Sequence, residues 1–185
     1  MTQMGHSLVG LSFGILALKK LPLNAKRIFI PSILILFVIL ANLPDLPVPG
    51  WGHDRYEVSH SLWITMIVAL GISCTYLLLC KYIFKTKPQG IFLLLMNLAL
   101  FSHLLLDSFY NHGYGVAIFW PFSSASLVLP IPWLSVQKDL PPPITQEMIK
   151  IWLLELLTFG PFLLFVLIKP FRKVGFRFLS QAQRE

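Results

Sequence analysis

Three histidines and two aspartates, His6, Asp45, His60, His103 and Asp107, each stand at the end of an apolar stretch of this 185-residue chain. Imidazole and carboxylate are borderline-to-hard ligands that suit zinc and, less selectively, manganese or iron. A divalent ion held by such a set keeps a position open for water, lowers the pKa of that water towards about 7 and polarises an ester or phosphoryl oxygen. His103-Leu-Leu-Leu-Asp107 is the sharpest local motif, because residues i and i+4 share one face of a helix and project side by side. Each residue also has a plainer reading. His103 and Asp107 could simply hydrogen-bond to each other, and His60 could be an interfacial histidine behind Ser59 as a helix N-cap. Asp45 could be a turn residue after Pro44, and His6 a solvated histidine near the terminus. The plainer readings leave the joint placement of the five unexplained.

A second tier surrounds them. His53, Asp54, Glu57 and His112 are candidates for outer positions or a second ion. Arg55 could clamp an anionic phosphate with its planar fork, or equally meet lipid head groups. His60, Asp107 and Arg55 are the residues expected to serve the reaction itself.

The elements that must position these groups are membrane helices. The chain is 56% hydrophobic and 12% charged, with a mean hydropathy of +0.72, far from the soluble average. Apolar runs at about 7–18, 27–43, 61–80, 90–107 and 148–169 suggest four to five crossings, since a span needs about 20 residues. The first run is short enough to be a crossing extended by its flanks or a helix tucked in from one side. The expected fold is therefore all-α, a polytopic membrane bundle forming a single domain over residues 1–185. Two stretches break the pattern. Pro44–Ser59 is rich in turn residues. Residues 110–146, aromatic yet interrupted by Gly113, Gly115, Pro121, Pro130, Pro132 and Pro141–Pro143, read as an irregular cap along the outer surface or a re-entrant segment. The basic tail 171–185 reads as a membrane-surface anchor.

Charge sets the orientation. Lys19, Lys20, Lys26 and Arg27 fill the first connection, Lys81, Lys85 and Lys87 the third, and Lys169, Arg172, Lys173, Arg177 and Arg184 the tail. These are twelve of the fifteen basic residues, on alternate loops, and the positive-inside rule makes those loops cytoplasmic. All five candidate ligands then share the extracytoplasmic rim, where ionisable residues are expensive and usually functional. The same basic strips explain the net charge of +7 by the anionic leaflet, with no nucleic-acid partner required. No basic residue precedes the first apolar run and no small-x-small site follows it, which argues against a cleaved leader.

Other chemistries lack a motif. Cys74 and Cys80, six residues apart on one helix, suit neither a disulfide nor a thiolate site. There is no Gly-rich phosphate loop, nucleophile elbow or Cys-x-x-Cys.

Taken in order, Gly5-His6, Leu43-Pro44-Asp45-Leu46, Ser59-His60-Ser61, His103 to Asp107-Ser108, Gly115 and Phe119-Trp120-Pro121-Phe122-Ser123 resemble the YdjM-type family of bacterial inner-membrane metal-dependent hydrolases, over roughly residues 4–125. That resemblance carries a distant similarity to zinc-dependent phospholipase C and the fungal single-strand nucleases. It implies one ion shared by Asp45, His60, His103 and Asp107, with His6 and Asp107 touching another. The chain departs from the family pattern at Pro47, where a second aspartate is common, and in the longer gap from His53-Asp54-Arg55 to His60.

The expected function is a multi-pass inner-membrane hydrolase using a divalent metal, most plausibly zinc. It would cleave a phosphoester or ester bond of an amphiphilic, lipid-like substrate at the extracytoplasmic face, among membrane lipids. The competing readings are a small transporter or metal-handling protein, kept alive by Glu155 as a buried carboxylate that could relay protons, and a scaffold that has lost catalysis.

Overall fold

A computed structural model describes residues 2–20, 23–46, 56–109, 116–129 and 145–182. Among them six helices run in chain order: α1 (Gln3–Lys20), α2 (Leu23–Asn42), α3 (Tyr56–Ser59), α4 (Leu62–Leu78), α5 (Gly90–Ser108) and α6 (Gln146–Ala182). The only β pairing among the described residues is an isolated bridge between Val116 and Leu127. The protein is an all-α membrane bundle. Among the described residues three stretches are long and apolar enough to cross a membrane: Leu62–Ile83, Gly90–Ser108 and Met148–Ile168, with Ile30–Asp45 a shorter apolar helix. Of the expected first and second crossings, the second corresponds to the shorter apolar stretch Ile30–Asp45, and the first, in α1, is not among the three long spans.

The core of the bundle is built on close approach. Ala17, Phe37, Leu40, Phe92, Leu95, Met96 and Ala99 form the buried cluster where α1, α2 and α5 meet. A Cβ added at Gly10 would lie 2.6 Å from the carbonyl oxygen of Phe37 and 2.9 Å from Ala41 Cβ; one at Gly14 would lie 3.1 Å from a Leu34 methyl. Gly10 and Gly14, four apart, let the α1 backbone seat against α2, the way small residues drive helix association in lipid. Outside this core α4 and α5 are tied by Asn97 Nδ2, which donates to Ser73 Oγ at 3.2 Å.

α1 runs parallel to α6, with contacts in the same order along both. Glu155 meets Thr2 and Gly5, Phe13 packs edge-on against Phe162 at 6.4 Å, and Lys19 Nζ donates to the Val166 carbonyl at 2.7 Å. The α4 helix closes at its basic end with a π-helical turn, Leu79–Ile83, followed by Lys85 in the left-handed region at φ 49°. At the opposite end, part of the expected cap is described: Leu62 N–H donates to the Ile118 carbonyl at 2.8 Å, and Leu129 N–H to that of Ser108 at 2.6 Å. Residues 116–129 therefore lie across the start of α4 and the end of α5.

Candidate metal centre

Four local structures deliver the candidate ligands to one place. Pro44 is the second residue of a 3-10 turn, Leu43–Asp45, that follows α2 and leaves Asp45 buried. His60 sits in the corner between α3 and α4. The N-cap of α4 is Ser61, whose hydroxyl accepts from Ile64 N–H at 3.3 Å. Ser59, the N-cap in the plainer reading of His60, does not cap the helix; its hydroxyl lies 2.8 Å from His60 Nδ1 instead. His103 and Asp107 come from successive turns of α5, as the i, i+4 spacing requires. His6 comes from the first turns of α1.

All of these side chains are buried: His6, His60 and His103 are 0% exposed, Asp107 3% and Asp45 8%. One ligand atom from each of Asp45, His60, His103 and Asp107 lies within 4.8 Å of every other. His60 Nε2 is 3.1 Å from His103 Nε2, 3.1 Å from Asp107 Oδ2 and 3.3 Å from Asp45 Oδ1. His103 Nε2 is 3.2 Å from Asp107 Oδ2 and 3.5 Å from Asp45 Oδ1. A regular tetrahedron with arms of zinc–nitrogen or zinc–oxygen length has edges of about 3.3–3.4 Å. Five of the six edges of this donor set fall close to that value.

The hydrogen bonds argue the same way. The Ala41 carbonyl can only accept, so His103 Nδ1, 2.8 Å away, carries a proton and donates it. In its neutral form the ring presents a lone pair at Nε2, towards two carboxylate oxygens and a second imidazole. Acceptors converge like this only around protons or a cation. A divalent cation satisfies all four atoms at once and neutralises both buried carboxylates, so the residues present fit a metal ion. The contacts of His103 with Ala41 and of His60 with Ser59 are the outer partners that fix imidazole ligands in place. Burial by itself would push the pKa of His60 down, but its hydrogen bonds to Asp107 and Asp45 outweigh this and raise it.

His6 stands beside the four. Its Nε2 is 3.1 Å from Asp107 Oδ1, the oxygen turned away from the cluster, and its ring stacks on His103 at 3.8 Å with 13° between planes. Its Nδ1 is buried with no hydrogen-bond partner among the described residues. Arg55, His53, Asp54, Pro47 and His112 lie outside the described residues; for Glu57 only the backbone, in α3, is described. Cys74 and Cys80 are free thiols remote from any such arrangement, Cys74 exposed and Cys80 buried.

Sequence reasoning missed two contributors. Ala41 and Ser59 acquire their roles only through contacts with His103 and His60, and nothing in their residue types announces this. A small crevice lined by Leu43, Pro44, Ser59, Ile64, Thr65, Val68 and Leu100 adjoins the chain neighbours of Asp45 and His60. It gives the buried cluster an apolar flank.

Fold and site together define a helical membrane protein with a buried histidine–aspartate cluster that could hold a metal ion. The chain belongs to the YdjM inner membrane protein family, whose model matches residues 1–170. No curated protein and no solved structure matches it, and the similarity to zinc-dependent phospholipase C expected from sequence is not shown by the family match.

Proposed function

We propose that the protein is a metal-dependent hydrolase that cleaves a phosphoester or ester bond of a lipid-like amphiphile at the extracytoplasmic face of the inner membrane. The observation that carries this reading is the set of Asp45, His60, His103 and Asp107 donor atoms within 4.8 Å of one another, buried at one end of the helical bundle. When bound, a divalent ion, zinc by the donor chemistry, supplies Lewis acidity that makes water nucleophilic near neutral pH and polarises the bond to be broken. The chain's own residues do the rest. Ala41 and Ser59 hold the two imidazoles in orientation. Asp107 faces the cluster with Oδ2 and His6 with Oδ1, so a proton released on the His6 side has an acceptor in contact with the centre.

The basic loops lie at the far end of the bundle from the cluster, which supports an extracytoplasmic site by the positive-inside rule. Phe119 and Phe122 are exposed on the 116–129 segment, and Trp63 packs edge-on against Phe122 at 5.4 Å. Aromatic groups of this kind favour the membrane–water interface, where an amphiphile enters sideways from the outer leaflet. Arg55 is the residue proposed to receive an anionic head group.

The test is the metal content, by elemental mass spectrometry, of the detergent-purified protein beside its Asp107→Ala variant. At least one equivalent of zinc or manganese, lost in the variant, and turnover of a phospholipid or lipid ester are expected. Absence of bound metal after reconstitution with zinc would sink the reading.

A further inference from the structure

Glu155 is the one acidic residue in the apolar span Met148–Ile168, and it is 0% exposed. A carboxylate inside a span is costly unless its oxygens are satisfied. Here both oxygens are spent on the first turn of another helix. Oε1 accepts from Thr2 N–H at 2.8 Å, and Oε2 accepts from Gly5 N–H at 3.0 Å and from the Thr2 hydroxyl. With Thr2 preceding α1, Gly5 is the third helical residue. Glu155 therefore makes, from a different helix, both bonds that an N-cap side chain and the returning carboxylate of a capping box divide between them. Its negative charge also meets the positive end of the α1 dipole.

The residue after Gly5 is His6. Because the α1 backbone is fixed at Thr2 and Gly5, the direction in which His6 leaves that backbone is fixed too. His6 then reaches Asp107 Oδ1 and lies flat on His103, touching two of the four clustered residues. An isolated cap would need only one end of α1 held. In this bundle the α1–α6 register is held at three points, by Glu155, by Phe13 on Phe162 and by Lys19 on Val166, and Glu155 holds the end of α1 that carries His6.

We infer that Glu155 is a positioning residue for the metal centre, acting through Thr2 and Gly5 to hold His6 against Asp107 and His103. This rests on the metal-hydrolase reading for its effect on an ion, but not for its effect on His6. The outer partners of metal ligands are worth tens-fold in affinity, and that is the size of effect assigned to this chain of contacts. It gives Glu155 a task in the bundle separate from the proton relay that its buried carboxylate suggested.

The decisive experiment is a double-mutant cycle on the full-length protein in lipid nanodiscs, stripped of metal and titrated with zinc. Glu155→Gln keeps the shape but turns an amide NH2 towards N–H and O–H donors. Both Glu155→Gln and His6→Ala are expected to weaken zinc binding by about tenfold to a hundredfold, and the double variant by no more than either alone. In the metal-free protein, nitrogen-15 NMR of the histidine rings is expected to show the His6 Nε2 signal shifted in Glu155→Gln. If Glu155→Gln proves too unstable to purify, Thr2→Ala removes only the hydroxyl bond and is expected to shift the same His6 signal by less. Two results would overturn the inference: additive losses in the double variant, or a lowered melting temperature with the His6 signal and zinc affinity unchanged. If the wild type binds no zinc, the hydrolase reading fails by itself and the His6 signal alone decides the role of Glu155.

Discussion

Helices α1 and α4 invert the usual relation between hydropathy and burial. α4 is among the most apolar stretches of the chain, yet only Thr65 and Ala69 within it are buried, while Ile67, Leu70 and Leu78 face outward. α1 carries glutamine, histidine, serine and two lysines, and it buries Gly5, His6, Val9, Gly10, Ser12, Gly14 and Ala17. In water such a pattern would be inside out. In a bilayer the apolar solvent is outside, so hydropathy marks the faces that meet lipid. Helix contacts go instead to small residues that let backbones approach and to polar groups that find partners. The site obeys the same division: α4 contributes His60 only from its leading corner, whereas α1 brings His6 into the interior.

The comparison can be broken or sharpened in order of effect. Asp107→Ala removes the residue that faces both His6 and the four-atom cluster. We expect loss of bound metal by more than the tens-fold typical of an outer-sphere change, with membrane insertion retained; elemental analysis of purified protein reads it directly. Gly10→Ala places a Cβ 2.6 Å from the Phe37 carbonyl oxygen and should destabilise the bundle by about 1–3 kcal/mol through overpacking, seen as a lower thermal midpoint in detergent. The matching change in α4, Gly71→Ala, meets nothing within 4 Å and should be neutral or stabilising by up to about 1 kcal/mol from helix propensity. Equal losses at the two glycines would refute the contrast drawn between the helices.

Ser59→Ala deletes the partner of His60 Nδ1 and should weaken zinc binding by about tenfold, measured by competition with a chromogenic chelator. Acidification is the mildest perturbation. The pKa of metal-free His60 is raised by Asp107 and Asp45, so protons compete with the ion from above the ordinary histidine value of about 6.5. Zinc affinity should rise with pH through that raised value and fall below it, and a titration at several pH values tests the slope.

Much of this was legible in the residues. The number and place of the apolar runs follow from the approximately 20-residue requirement of a span, and α5 (Gly90–Ser108) differs from its expected bounds by one residue. His103 and Asp107 were legible as a pair because helical periodicity is local. The spacing of Gly10 and Gly14 was a readable signal of close packing that hydropathy alone passes over. Ser59 and Ser61 could not be assigned to cap and ligand partner from sequence, since both types suit both tasks. The helix ends also moved: the fifth apolar run, expected to stop near 169, continues in one helix to Ala182.

Composition and charge order by themselves determined that this is a helical membrane protein and which ends of its helices carry ionisable groups, because lipid imposes those rules on each segment separately. Only the tertiary structure decided that Asp45, His60, His103 and Asp107 converge to within 4.8 Å. It also decided that Ala41 and Ser59 orient the imidazoles, and that Glu155 is bonded to the start of α1. Those contacts join residues up to 153 positions apart. They exist because small residues allow α1, α2 and α5 to close on one another, and no local pattern encodes which distant group will then be within reach.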